Sequence, residues 1–165
     1  MIFNSCDTNE NTQDVEKIWR EEGDGTIITN DLPRLQKMIP FQIVFPEYLP
    51  DDLKYDGTAY FFEIIELDTD YECVSITYVD LDAKGWIEIS EQEIPKEYDV
   101  SFGIIEHPET NRIFQVYDVQ IVEQGLDKID TQYSYYWFYD GLLFDALVDG
   151  YSQDESRKII ESMIR

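Results

Sequence analysis

A chain of 165 residues is about one domain, long enough to close a core without a disulfide or metal staple. Hydrophobic residues make up 43% and aromatics 15% of it, too much apolar matter for a disordered chain. Against 36 aspartates and glutamates stand 12 lysines and arginines, a formal charge of −24. That argues against a basic patch for nucleic-acid phosphates or an anionic membrane surface, and for cations or a basic partner.

Residues 1–11 are polar and read as a flexible leader or tether. The spacing of Val15, Ile18 and Trp19 predicts a short helix over about 12–22, ended by Gly23 and followed by a turn at Asp24-Gly25. Asp31 has the position of an N-cap for a second short helix. Pro33 sits in its first turn, Leu32, Leu35 and Met38 form its stripe, and Pro40 stops it. Residues 12–39 are thus expected to be an N-terminal helical segment.

From Phe41 the apolar period becomes two. Phe41, Ile43 and Phe45 predict a first strand, and residues 58–67, 72–80 and 85–94 predict three more, with Trp86 on the face opposite Ile87 and Ile89. Further strands are expected near 100–106, 112–123, 130–139 and 142–148. Asp56-Gly57 and Asp140-Gly141 mark turns, the latter tight enough for a hairpin. At the end, Ser152 and Glu155 form a capping box, and Ile159, Ile160, Met163 and Ile164 give one apolar stripe. The pattern is an α+β domain of about eight antiparallel strands with a C-terminal helix and short N-terminal helices packed on it. Tyr48, Trp86, Trp137, Phe144, Ile160 and Met163 are its expected core.

Catalytic chemistry lacks its parts. The single histidine, His107, precedes a proline in a turn-like segment, and no nucleophile triad or Gly-rich phosphate loop occurs. With 36 acids, close carboxylate pairs are inevitable and carry no signal by themselves. Asp80, Asp82, Gly85, Ile87 and Glu91 imitate a calcium loop, but Lys84 stands where a ligand oxygen belongs and the flanks read as strands, so a hairpin turn is the better reading. Calcium near Asp80 and Asp82 stays open at this point. The expectation is a chain that is not an enzyme and needs no cofactor or metal.

Two features suggest binding. Alternation puts Tyr133, Tyr135, Trp137 and Tyr139 on one strand face, either inside a core or as the wall of an apolar cavity or partner surface. Cys6 follows a small residue and precedes a polar stretch, as a lipid-anchor cysteine does. On that reading Met1 is an internal residue of a longer precursor; the other reading is a surface thiol of a cytosolic protein. No run approaches 18 apolar residues, so no transmembrane segment is expected, and Met1-Ile2-Phe3 lacks the marks of a signal peptide.

Two stretches carry a resemblance. The first runs Ile39-Pro40-Phe41-Gln42-Ile43-Val44-Phe45-Pro46-Glu47-Tyr48-Leu49-Pro50, then Leu53. The second runs Trp137-Phe138-Tyr139-Asp140-Gly141-Leu142-Leu143-Phe144, then Ser152, Glu155 and Lys158-Ile159-Ile160-Glu161-Ser162-Met163. With Ile76-Thr77-Tyr78 between them, these resemble a bacterial extracytoplasmic domain of unknown function found in anti-sigma-factor-like membrane proteins and lipoproteins, similar in fold to the LolA and RseB group. Asp51-Asp52 departs from that pattern, which has a glycine soon after the second proline. The resemblance covers residues 40–165 and implies one domain there, built on a strongly curved antiparallel sheet around an apolar groove, with no catalytic residues to carry over.

The leading expectation is therefore a non-enzymatic extracytoplasmic binding or sensory module, tethered to the membrane through Cys6, that holds an apolar ligand or a partner protein. The alternative, motivated by the charge, is an acidic cytoplasmic inhibitor or immunity protein that binds a basic partner.

Overall fold

The period-two pattern becomes a single antiparallel sheet in the computed structural model, which describes residues 16–23, 25–66, 69–80, 82, 84–93, 111–125 and 132–165. The strands are β1 (Trp19–Glu21), β2 (Ile27–Thr29), β3 (Leu53–Glu66), β4 (Thr69–Asp80), β5 (Trp86–Glu93), β6 (Asn111–Val116), β7 (Val119–Gly125), β8 (Gln132–Tyr139) and β9 (Leu142–Asp149). Their spatial order is β1-β2-β3-β4-β5-β9-β8-β7-β6. Two meanders thus meet where β5 pairs with β9. The expected strand at 100–106, the leader and His107 lie outside the described residues.

The expectation of a strongly curved sheet of about eight strands is corrected: the sheet has nine strands among the described residues and is open, with β1 and β6 at its ends. Strong bending needs repeated bulges or kinks. Among the described residues only one register irregularity occurs, between Tyr55 and Ala59 on β3. It also accounts for Asp56-Gly57, which is not a turn between strands but a break within one, where the Asp56 carboxylate accepts the Thr58 N–H at 2.6 Å. Asp140-Gly141 is the tight hairpin turn the sequence calls for. Both residues have positive φ, 51° and 82°, as a two-residue turn matched to strand twist requires.

One face of the sheet is the core. Val74, Ile76, Tyr78, Ile87, Ile89, Ile121, Tyr135, Trp137, Phe144, Ala146 and Val148 alternate onto it, and the whole set is buried. Helix α2 (Gln153–Glu161) covers it with Ile159 and Ile160, followed by Met163 and Ile164. Its N-cap is Ser152, whose hydroxyl accepts the Glu155 N–H at 3.3 Å. The Glu155 carboxylate does not complete a reciprocal box; it accepts the Tyr48 hydroxyl. Of the expected core, Trp137, Phe144, Ile160 and Met163 are buried. Tyr48 is 39% exposed, and Trp86 lies half-buried on the other face.

The strand expected at Phe41–Phe45 is extended but joins no ladder. It crosses the core face as a strap, with Phe41 and Ile43 inward and Phe45 outward. Its backbone partners are side chains. The Gln36 amide donates to the Phe41 carbonyl at 2.6 Å and accepts the Ile43 N–H at 3.0 Å, and Glu91 takes the Val44 N–H. Alternation reports which side a residue faces, not whether a neighbouring strand exists, so the sequence pattern is the same.

Of the helix expected over 12–22, residues 12–15 lie outside the described residues, and the rest is replaced by β1 and its flanks. Thr29 and Asn30, at and just after the end of β2, bond the Ile18 carbonyl and N–H at 2.7 and 2.8 Å, and Arg34 stacks 3.6 Å over the Trp19 ring. The second helix, α1, shrinks to one turn (Leu32–Leu35). Asp31 stands at its N-cap but makes no capping bond, because its carboxylate accepts the Lys17 ammonium at 3.0 Å.

Candidate functional site

Acids on a core face are the first place to look for chemistry, because a charge out of water must be paired or protonated. Among the described residues two are buried most deeply. Glu123 is in phase with Val119 and Ile121 on β7 and is fully buried. Arg157 of α2 meets it with two hydrogen bonds, Nε at 2.7 Å and an Nη at 3.0 Å, and Gln153 donates to the same carboxylate. The Arg157 guanidinium also lies 5.0 Å from the Phe114 ring. The Tyr135 hydroxyl lies against Glu123 and Ser156 without hydrogen-bond geometry to either, and burial followed by the Glu123 charge pushes its pKa up. This cluster pins α2 to β7 and β8.

Glu91 is the second. It continues the Ile87 and Ile89 phase on β5, opposite Phe144 and Val74, and is 1% exposed. Both carboxylate oxygens accept the Val44 N–H, at 3.1 and 3.0 Å. Burial pushes its pKa up to about 8, with the Val44 bond pulling weakly the other way. The effect reaches Tyr78, whose pKa rises through burial first and the Glu91 charge second. Glu91 thus latches the strap to the sheet.

The opposite, outer face is chemically different. Ile113, Val122, Tyr136 and Asp145 form one cross-strand row over β6, β7, β8 and β9, continued by Ser90 and Ser75. Phe138 pairs with Leu143 beside it, and Leu147 pairs with Glu88. Tyr136 is 38% and Ile113 53% exposed. Among the described residues no helix packs on this face. Glu88 is diagonal to Asp145 and accepts the Ser75 hydroxyl at 2.7 Å. Desolvation, then the Glu88 charge, pushes Asp145 up to about 6, although the residue is exposed on this face. Among the described residues neither acid has a lysine or arginine salt bridge. Cys73 is buried on the same face. Burial, then the charges of Asp145, Glu91 and Glu88, push its thiol up to about 12, which leaves it protonated and unreactive.

The aromatic run alternates as expected, and the structure places its members unevenly. Tyr135 and Trp137 are fully buried beneath α2, with Trp137 stacked on Phe144 at 4.9 Å. Tyr133 and Tyr139 are partly buried against the same core, and the Tyr139 hydroxyl donates to the Arg165 carbonyl at 2.8 Å. Tyr136, on the other face, is the exposed one. Cys6 lies outside the described residues. Asp80 and Asp82 sit in the β4–β5 hairpin, where Asp80 accepts the Asp82 N–H at 2.7 Å and Lys84 pairs with Asp82 at 2.8 Å. Glu91, the last position of the imitated calcium loop, is taken by the core. Among the described residues no group of three or more His, Cys, Asp or Glu side chains is placed to hold a metal ion.

Glu91 and Glu123 were findable: each is an acid in phase with an inward apolar stripe. Asp145 and Glu88 were not, because an acid at an outward strand position reads as ordinary solvation.

No family model, curated protein or solved structure matches the chain. The resemblance drawn from residues 39–53, 76–78 and 137–163 stands on those residues alone. Among the described residues no helix is long and apolar enough to cross a membrane.

Proposed function

We propose that the chain is a non-enzymatic binding module that meets its ligand or partner on the outer face of the sheet. The observation that carries this reading is the row Ile113–Val122–Tyr136–Asp145, apolar for three strands and partly exposed, on the face opposite α2. Contiguous apolar surface on a soluble domain marks an interaction site. The buried acids of the core face support it from the other side: Glu123 is paired to Arg157, Glu91 holds Val44 and Asp80 holds the β4–β5 turn through the Asp82 N–H, so all three have structural work.

Native mass spectrometry of the gently purified full chain, with a denaturing spectrum beside it, tests the reading. The expected result is a non-covalent adduct or complex that disappears on denaturation and is depleted in Tyr136→Ser/Ile113→Ser. A bare mass for both forms, or an adduct indifferent to the double substitution, overturns it.

A further inference from the structure

The outer face places two carboxylates beside an apolar row, and among the described residues no lysine or arginine forms a salt bridge with either. Glu88 on β5 and Asp145 on β9 are diagonal neighbours, flanked by Leu147, Leu143, Tyr136 and Phe138, and the described lysines and arginines that form salt bridges are engaged elsewhere. Like charges side by side on a partly desolvated surface are unfavourable, and one incoming cation relieves both. A free metal ion would satisfy the charge but leave the surrounding apolar row uncovered. A polypeptide with a basic side chain flanked by apolar ones would satisfy both.

We propose that the outer face of β5, β9 and β8 binds an extended polypeptide segment that seats an arginine or lysine between Glu88 and Asp145 and lays its neighbouring apolar side chains on Leu147, Leu143 and Tyr136. This rests on the binding-module reading and names the partner's chemistry. The net charge of −24 steers a basic partner toward the chain at long range, and the carboxylate pair fixes where it docks. Among the described residues the titratable groups facing Asp145 are Glu88 on β5, Cys73 on β4 and Tyr136 on β8. None of them is a cation. Occupancy requires both acids to be ionised, so binding strengthens as pH rises through about 6, where Asp145 loses its proton.

The probe is an extended peptide alternating valine and arginine, titrated into the isotope-labelled full chain, with its citrulline counterpart as the neutral control. The expected result is shifts confined to the outer face of β5, β8 and β9. Affinity should fall about tenfold or more for the citrulline peptide and for Glu88→Gln/Asp145→Asn. It should change less than about twofold for Asp51→Asn/Asp52→Asn, exposed acids elsewhere. Circular dichroism of the near-isosteric variants checks that they fold. No binding of the arginine peptide, equal binding of the citrulline peptide, or equal losses from the two acid pairs each overturn the proposal. If the native adduct persists while the arginine peptide fails, the cation seat falls and the binding-module reading stands.

Discussion

Glu123 and Arg157 show how one side chain decides the fate of another. Glu123 is 1% exposed, and its charge is tolerable only because the guanidinium meets it in a fork. Arg157→Ala leaves a buried carboxylate without its cation, held only by the Gln153 amide, and is expected to cost about 3–5 kcal/mol in a urea titration. Glu123→Leu/Arg157→Leu removes both charges and should recover most of that loss; a double variant as weak as the single one would show that packing, not charge, sets the cost. Cys73 gives a second residue-scale test. With its thiol pushed up to about 12, peptide mapping after iodoacetamide treatment at pH 8 should find Cys73 unmodified in the folded chain and fully modified in urea.

At the scale of elements, two turns with the same backbone sign separate strain from space. Gly141 and Gly150 both have positive φ, 82° and 84°. A Cβ at Gly141 meets nothing within 4 Å, whereas at Gly150 it would lie 2.2 Å from the Lys84 carbonyl oxygen and 2.6 Å from Gly85 Cα. Gly141→Ala should therefore cost only the conformational penalty, about 1 kcal/mol, and Gly150→Ala about 2–4 kcal/mol, both read from denaturant midpoints. The β4–β5 turn and the segment entering α2 are packed backbone to backbone at Gly85 and Gly150. Much at this scale was legible: strands β5, β8 and β9, the Asp140-Gly141 hairpin and α2 with its Ser152 cap all follow from local pattern. Two of the misreadings share one cause. Val15, Ile18 and Trp19 have helical spacing, yet Thr29 and Asn30 offer Ile18 better backbone partners than a helix does. Asp56-Gly57 has the look of a turn, yet the pairing of β3 with β4 runs past it on both sides. In each case a tertiary partner overrides a local preference. The binding face was illegible for a related reason, since alternation marks outward positions without saying what they will meet.

For the whole molecule, Glu91 makes stability depend on pH in an unusual direction. Its ordinary value of 4.5 applies once the chain unfolds, and burial raises it to about 8 in the folded chain. Between those values the folded chain keeps a proton that the unfolded chain has shed, so raising the pH draws the equilibrium toward unfolding. Asp145, raised to about 6, acts in the same sense over the lower part of that window. Asp31 and Glu155 are held below their ordinary values by Lys17 and Tyr48 and act oppositely, but in more acidic solution. The dominant slope from about pH 5 to 8 is therefore a fall in Tm, and the repulsion within a chain of charge −24 steepens it. Added salt should screen the repulsion and raise Tm, while leaving the Glu91 contribution in place because that group is out of reach of the ions. Glu91→Gln keeps an oxygen for the Val44 N–H without a titrating proton, so calorimetry at high salt should find this variant more stable than the parent at pH 8, no more stable at pH 4.5, and with a flatter slope between. Parallel curves for the two proteins would place the pH dependence in the surface charge instead of in the latch that joins the strap to β5.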